Sequence, residues 1–459
     1  MIASTRRAAA DPARRAAVDL LLAVERDGAY ANLLLPRLMR ERKLSSQDAS
    51  FATEVGYGAL RWQGVLDEVI AAAANRDVGV LDPAVRAVLR VGAYQLLHTR
   101  VPSHAAVATT VDMGKQVAGP RTSGLVNAVM RRVSERSWTQ WVSRLAPADP
   151  LGRVAFEYGY PRWVAQAFFD ALASDRAELE LALAADRPVT HLAARPGVMD
   201  RDRLVELAGD GAVAGPYSPY AVRLAGGDPG RIGAVQDGRA QVQDEGSQLV
   251  ALAATRARVD GPDLSWLDLC AGPGGKAALL AGLVADGGRL VAADVHPHRA
   301  RLVRTAGGAR TAVVVADGAR PPWRPGSFDR VLLDAPCSGL GALRRRPEVR
   351  WRRKAEDLER LVELQSALLD SAIEAARIGG VIVYATCSPH PAETRAVVRG
   401  ALARHGELDQ LDARTLLADV PDLGAGPDVQ LWPHRHGTDA MYIAALRKTN
   451  EPGSRGGAA

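Results

Sequence analysis

Cysteine is scarce in this chain: Cys270, Cys337 and Cys387 are the only three in 459 residues. An odd and sparse set excludes a disulfide framework and suits a reducing compartment, so a cytoplasmic location is expected. No two of the three form a CxxC pair, and no metal centre is expected. Aromatic residues make up only 5% of the chain, so its cores must be built from Ala, Leu and Val. No apolar run reaches the roughly eighteen residues that a membrane-spanning helix needs. The basic start MIASTRRAAADPARR is not followed by an apolar segment, which sets it apart from a signal peptide.

Hydrophobic residues account for 47% of the sequence and charged residues for 24%, the balance of a globular protein with sizeable cores. The length implies two or three domains. The formal net charge is +6, and one short stretch carries an equal charge. Between positions 344 and 354 stand Arg344, Arg345, Arg346, Arg350, Arg352, Arg353 and Lys354 against the single acid Glu348. Such a run on an otherwise neutral chain points to a docking site for a polyanion such as RNA; the alternative is a solvated helix face.

Apolar spacing divides the chain. Residues 1–140 read as all helix, through AAVDLLLAVERDGAYANLLLPRL and SFATEVGYGALRWQGVLDEVIAAA, with Asp82 before Pro83 as a helix N-cap. Residues 145–235 read as a small mixed connecting domain punctuated by Gly and Pro. From 236 to 447 strand and helix alternate, with strands at LSWLDL, GRLVAADV, TAVVVAD, FDRVLLDAP, GGVIVYATC and DAMYIAALR and a long amphipathic helix over 355–377. This alternation predicts a parallel α/β sheet of Rossmann-like type. The tail 448–459 is small and polar and is expected to be disordered.

The strand LSWLDL leads into Cys270, Ala271, Gly272, Pro273, Gly274, Gly275 and Lys276 and then a helix. A Gly-rich turn at a helix N-terminus lets backbone approach a ligand and favours its negative group. The turn lacks G-x-G-x-x-G spacing, and Ala277 after the lysine departs from a P-loop. Asp294 ends the next strand and Asp317 ends the third, where acids at the carboxyl edge of a parallel sheet can hold the ribose and adenine of a nucleoside. The fourth and fifth strands run into Asp334-Ala335-Pro336-Cys337 and Ala385-Thr386-Cys387. Two thiols at the edge that holds the ligand suggest nucleophilic chemistry. A thiolate added to cytosine C6 would make C5 nucleophilic, an acid near N3 (Asp334) would neutralise the adduct, and the second thiol would assist release.

DLCAGPGGK, DAPCSG and YATCS, in this order, resemble the RNA 5-methylcytosine methyltransferases of the NOL1/NOP2/Sun type; VQDEGSQ (242–248) and PHRHGTDAMYIA (433–444) match two further motifs of that family. The resemblance implies S-adenosyl-L-methionine as cofactor, held by residues 270–276, Asp294, Asp317 and Asp334. It also implies Cys387 as nucleophile and Cys337 as the release cysteine. Ala277, Ala440 and Met441 depart from the family's usual residues. VLRVGAYQLLHTRVPSHAAVATTVDMGK and LVNAVMRR resemble the RNA-binding antitermination factor NusB. The two halves together resemble bacterial family members that act on small-subunit ribosomal RNA, expected to work as monomers. A DNA cytosine methyltransferase, which would attack with the cysteine that follows proline, and an RNA-binding factor with a silent methyltransferase domain are the competing readings.

Overall fold

The computed structural model describes residues 11–185, 187–308 and 310–450. The chain forms two compact units, and they do not follow the linear sequence. One comprises Met1–Phe169, Ser174–Leu183 and Leu343–Lys354; the other comprises Asp170–Ala173, Ala184–Ala342 and Ala355–Ala459.

The first unit is helical. Asp11 caps Pro12–Asp27 by accepting from the Ala13 and Arg14 amides, and Asp82 caps Pro83–His98 through the Ala84 amide at 2.7 Å. In both, proline occupies the first turn, where its missing N–H costs nothing. Their apolar stripes meet in one core that includes Leu20, Leu66, Ile70, Leu89 and Met130, all at most 1% exposed. The buried Arg90 is neutralised by a two-bond fork to Asp67 (2.7 Å each) and by Glu25 at 2.9 Å. Helices continue beyond position 140, through Pro150–Glu157, Arg162–Leu172 and Arg176–Ala184. The first half of the connecting region is therefore helical and, apart from Asp170–Ala173, belongs to this unit up to Leu183.

The second unit opens with a four-stranded antiparallel sheet of β1 (Thr190–Ala194), β2 (Val213–Ala214), β3 (Ala221–Leu224) and β4 (Ala240–Val242), in the order β2-β3-β1-β4. VQDEGSQ then forms a latch. Glu245, fully buried, accepts the Tyr217 and Ser218 amides at 2.8 and 2.9 Å, Gln248 accepts the Ser218 hydroxyl, and the Glu245 amide donates to His191 Nδ1 at 3.0 Å.

The large sheet contains β5 (Ser265–Asp268), β6 (Arg289–Asp294), β7 (Thr311–Val315), β8 (Phe328–Asp334), β9 (Ala376–Thr386), β10 (Leu408–Leu411), β11 (Val429–Gln430) and β12 (Tyr442–Lys448). Its order is β10-β12-β9-β8-β5-β6-β7, with β11 beside β12. Strands β5 to β9 are parallel and β12 is antiparallel to β9. This is the Rossmann-like sheet expected from the sequence. Alternate residues of β9 serve opposite faces: Ile382 and Tyr384 pack with Leu368, Leu369 and Ile373 of the helix Asp357–Ala375, while Val383 and Ala385 join the core under Glu245–Arg256. Of the tail expected from 448, Lys448 ends β12 and the Thr449 amide bonds to Glu407 O; residues from 451 on lie outside the described residues. No described helix is long and apolar enough to cross a membrane. Leu369 is fully buried, so Leu369→Ala should lower unfolding free energy by about 2–5 kcal/mol, measured by urea denaturation.

Candidate active site

All the chemistry-bearing groups of the second unit gather at the carboxyl edge of the parallel strands. The order reverses at β5, which lies between β8 and β6, and open α/β sheets bind ligands at such a point. The turn 270–276 leaves β5 here and enters the helix Gly275–Leu283, whose N-terminus carries no side-chain cap. Its amides are thus available to an anionic group. Glycine is required at two places. A Cβ on Gly272 would lie 2.4 Å from Asp294 Oδ2, and Gly274, with φ at +114°, would bring a Cβ within 3.0 Å of the Val303 backbone.

Asp294 is 4% exposed; it accepts the Gly272 amide at 3.1 Å and the His296 amide at 2.8 Å, which fixes the acid against the turn. Asp317 stands on the loop after β7, exposed, its Oδ1 accepting the Ala319 amide at 3.0 Å. Asp334 ends β8 and pairs with Lys276 Nζ at 2.7 Å. Burial works against the Lys276 ammonium, but Asp334 outweighs it and raises its pKa. The glycine cradle, the uncapped helix and the two acids beyond it fit S-adenosylmethionine.

β8 and β9 are paired so that Asp334 faces Ala385. The continuation of each strand therefore reaches the same place, and Cys337 Sγ lies 3.4 Å from Cys387 Sγ. The Cys337 thiol is held well above its ordinary pKa, first by its hydrogen bond with Cys387 and then by burial and the charges of Cys387, Glu393 and Asp334. Cys270 is kept protonated by burial and by Asp268, Asp334 and Asp294; it packs against the core near Leu267 and Leu269.

Two residues of the site escaped the sequence reading. Glu393, fully buried, receives the amide and hydroxyl of Ser338 and the hydroxyl of Ser388, so it stands between the two cysteine loops. Asp268, 1% exposed at the end of β5, has neither carboxylate oxygen hydrogen-bonded. Nothing in the linear pattern distinguishes either from the many other acids of the chain.

The basic run requires a correction. As a phosphate-docking patch all seven side chains would face solvent, yet Arg344 and Arg350 are buried, at 6% and 0% exposed. Residues 343–354 pack within the helical unit. The Arg350 guanidinium lies 3.6 Å over the Tyr160 ring and donates to Gly159 O, Trp351 Nε1 donates to Arg61 O at 2.7 Å, and Arg352 donates to Gly28 O and Ala29 O. Arg346 covers the Tyr30 ring at 5.0 Å. Helix-end carbonyls and aromatic faces take the charges that the sequence offered to a polyanion. Arg345 and Arg353 are half-buried, and Arg352 and Lys354 keep the most exposure.

A Rossmann-like sheet with this cofactor cradle and a paired-cysteine edge, joined to a helical NusB-type unit, defines an S-adenosylmethionine-dependent methyltransferase. Residues 259–447 match the model of the 16S rRNA methyltransferase RsmB/F family, and residues 11–135 match that of the NusB family. The chain is 54% identical over 451 residues to a methyltransferase of Mycobacterium tuberculosis, covering 96% of this chain and 98% of that protein. It is 34% identical over 444 residues, 95% and 98% of the two chains, to ribosomal RNA small subunit methyltransferase B of Pseudomonas putida. Its fold is similar to the crystal structure of PH0851, with a TM-score of 0.81, 23% identity and 95% and 99% coverage. It is also similar to NSun6 from Pyrococcus horikoshii, solved with SFG, with a TM-score of 0.53, 18% identity and 63% and 99% coverage. The chain belongs to the RsmB/F family of methyltransferases.

Two measurements follow. Asp268 is pushed up to about 7, by burial first and then by the carboxylates of Asp334 and Asp294, with Lys276 pulling the other way. Stability from the neutral carboxyl is present below its unfolded value and lost as pH rises through the folded one. The cofactor-free protein should therefore lose Tm relative to Asp268→Asn between about pH 5 and about pH 8, with a slope of at most about 1.4 kcal/mol per pH unit. Arg350→Ala should destabilise the helical unit by about 1.5–3 kcal/mol, the worth of a buried hydrogen bond from a charged donor, and leave the salt dependence of RNA binding unchanged. A reduced salt slope would return Arg350 to the RNA-binding set.

Proposed function

We propose that this enzyme is a cytoplasmic ribosomal RNA (cytosine-5-)-methyltransferase acting on small-subunit RNA, with Cys387 as nucleophile and Cys337 as its release partner. The observation that carries the reading is the 3.4 Å approach of the two thiols beside the Lys276–Asp334 pair. Family membership supports the RNA class, and the small-subunit assignment follows the name of the Pseudomonas putida relative. The NusB-type unit supplies RNA affinity in this reading, joined by the more exposed charges Arg352 and Lys354.

The bound cofactor supplies an electrophilic methyl on a sulfonium. This chain's residues do the rest. With Cys337 held as a thiol 3.4 Å away, Cys387 is the attacking sulfur in this reading. Cys387 Sγ bonds to cytosine C6 as its thiol proton passes through solvent to N3; the enamine so formed carries electron density at C5, and the Asp334 carboxylate holds the N3–H. After C5 has been methylated its proton leaves to solvent, the C6–S bond breaks, and the Cys337 thiol protonates the departing sulfur.

A denaturing gel tests the division of roles. Cys387→Ala should be inactive and form no covalent RNA complex, whereas Cys337→Ala should accumulate one. The reverse pattern would identify Cys337 as the attacker, as in a DNA-type enzyme, and no adduct in either variant would favour a silent scaffold.

A further inference from the structure

We infer that Glu393 is a positioning residue, a buried clamp that holds the two cysteine loops at the separation the chemistry needs. The inference rests on the proposed pairing of Cys337 and Cys387, but its observations are independent of the reaction.

β8 and β9 end at Asp334 and Thr386, before either cysteine, so ladder hydrogen bonds do not extend to the sulfurs. Beyond the end of β8, the Ala335 amide donates to Ala385 O at 2.8 Å and the Gly341 amide to Cys387 O at 2.9 Å. Besides the contact of the two sulfurs and that of the two serine hydroxyls, the ties among the described residues run through one carboxylate. Glu393 Oε1 accepts the Ser338 amide at 2.7 Å and Gln365 Nε2 at 3.0 Å. Glu393 Oε2 accepts the Ser388 hydroxyl at 2.6 Å and the Ser338 hydroxyl, and those two hydroxyls lie 3.1 Å apart. Ser338 and Ser388 are the residues immediately after the two cysteines, so one side chain fixes both loops by the same relative position. The clamp is itself held: Tyr384 of β9 donates to Glu393 O at 2.7 Å, and Gln365 also donates to Pro336 O at 2.9 Å. Ser338, Ser388, Gln365 and Glu393 are all buried, at 2% exposed or less.

These partners are neutral donors. A carboxylate buried among them is retained for the number of bonds it can accept, four here through two oxygens, which no neutral side chain matches. Hydrogen bonds to a charged acceptor are short and stiff, and catalytic groups need placement within a fraction of an ångström. Glu393 touches neither sulfur through a hydrogen bond; it acts through the backbone of the neighbouring serines.

The test reads thiol proximity separately from turnover. Phenylarsine oxide bridges two thiols only when they lie side by side, so its affinity for the full-length protein measures the clamp. In Glu393→Ala we expect this affinity to fall at least about tenfold, because the effective concentration of one thiol at the other falls. We also expect kcat to drop with KM for RNA unchanged and S-adenosylmethionine binding retained by calorimetry. Glu393→Gln, which keeps one acceptor and can donate to the two hydroxyls, should recover most of both losses. A merely structural glutamate would lower Tm without separating arsenical affinity from cofactor binding. Should Glu393→Ala fail to fold, the double variant S338A/S388A carries the same expectation, since it removes both hydroxyl ties. Unchanged arsenical affinity and kcat in the variant that folds would overturn the proposal. A fall in arsenical affinity alongside a wild-type protein that methylates no cytosine would keep the clamp and reject the proposed reaction.

Discussion

The in-register pairing of β8 with β9 is the constraint on which the site depends. Parallel strands deliver their carboxyl ends to the same edge, and the match of Asp334 with Ala385 sets how far each chain runs beyond the ladder. A shift of one residue would turn Asp334 to the other face of the sheet and carry Cys337 away from Cys387. Both faces of β9 are filled, Tyr384 on one side and Val383 on the other, so no slipped register buries the same side chains. Hydrophobic packing along an eleven-residue strand thereby becomes positional accuracy at two sulfur atoms.

The electrostatics of the edge follow from crowding. Asp268, Asp294 and Asp334 come together with one ammonium, Lys276, among them. Lys276 is committed to Asp334, which leaves Asp268 without a hydrogen-bonded partner and favours its neutral form. Burial for Cys270, and for Cys337 its hydrogen bond with Cys387 followed by burial, keep both as thiols, and the neighbouring negative charges add to this. A cationic sulfonium cofactor is suited to such surroundings, whereas a nucleoside triphosphate would meet repulsion.

Most of the methyltransferase half was legible in the sequence because each of its signals is local. Strand β8 carries the apolar run Val331-Leu332-Leu333 straight into Asp-Ala-Pro-Cys, and the turn 270–276 announces itself by three glycines. What the sequence could not display is partnership across long separations. Glu393 meets Ser338 over 55 residues, and Arg350 meets Gly159 over 191. A glutamate in the segment PHPAETR reads as an ordinary surface acid, and a run of arginines reads as a solvated or polyanion-binding face. Side chains such as Arg350 are hidden because guanidinium can be buried when aromatic faces and carbonyls satisfy it. The extent of the helical unit was missed at its end for a related reason: helices as short as eight residues, Pro150–Glu157 among them, carry too few apolar repeats to show a period.

The passage of residues 343–354 through the helical unit has a consequence for how this protein can be divided. Five residues after Cys337 the chain leaves the catalytic unit, contributes Arg350 and Trp351 to the packing of the other, and returns for the helix Asp357–Ala375. The NusB-type unit is therefore not an appendage that a cut near position 184 would set free. Such a cut would leave it without an internal piece that only the downstream half encodes, and would leave the downstream half with an orphaned loop bearing a tryptophan and seven basic residues. The helical unit is thus completed only when the downstream half of the chain is made with it.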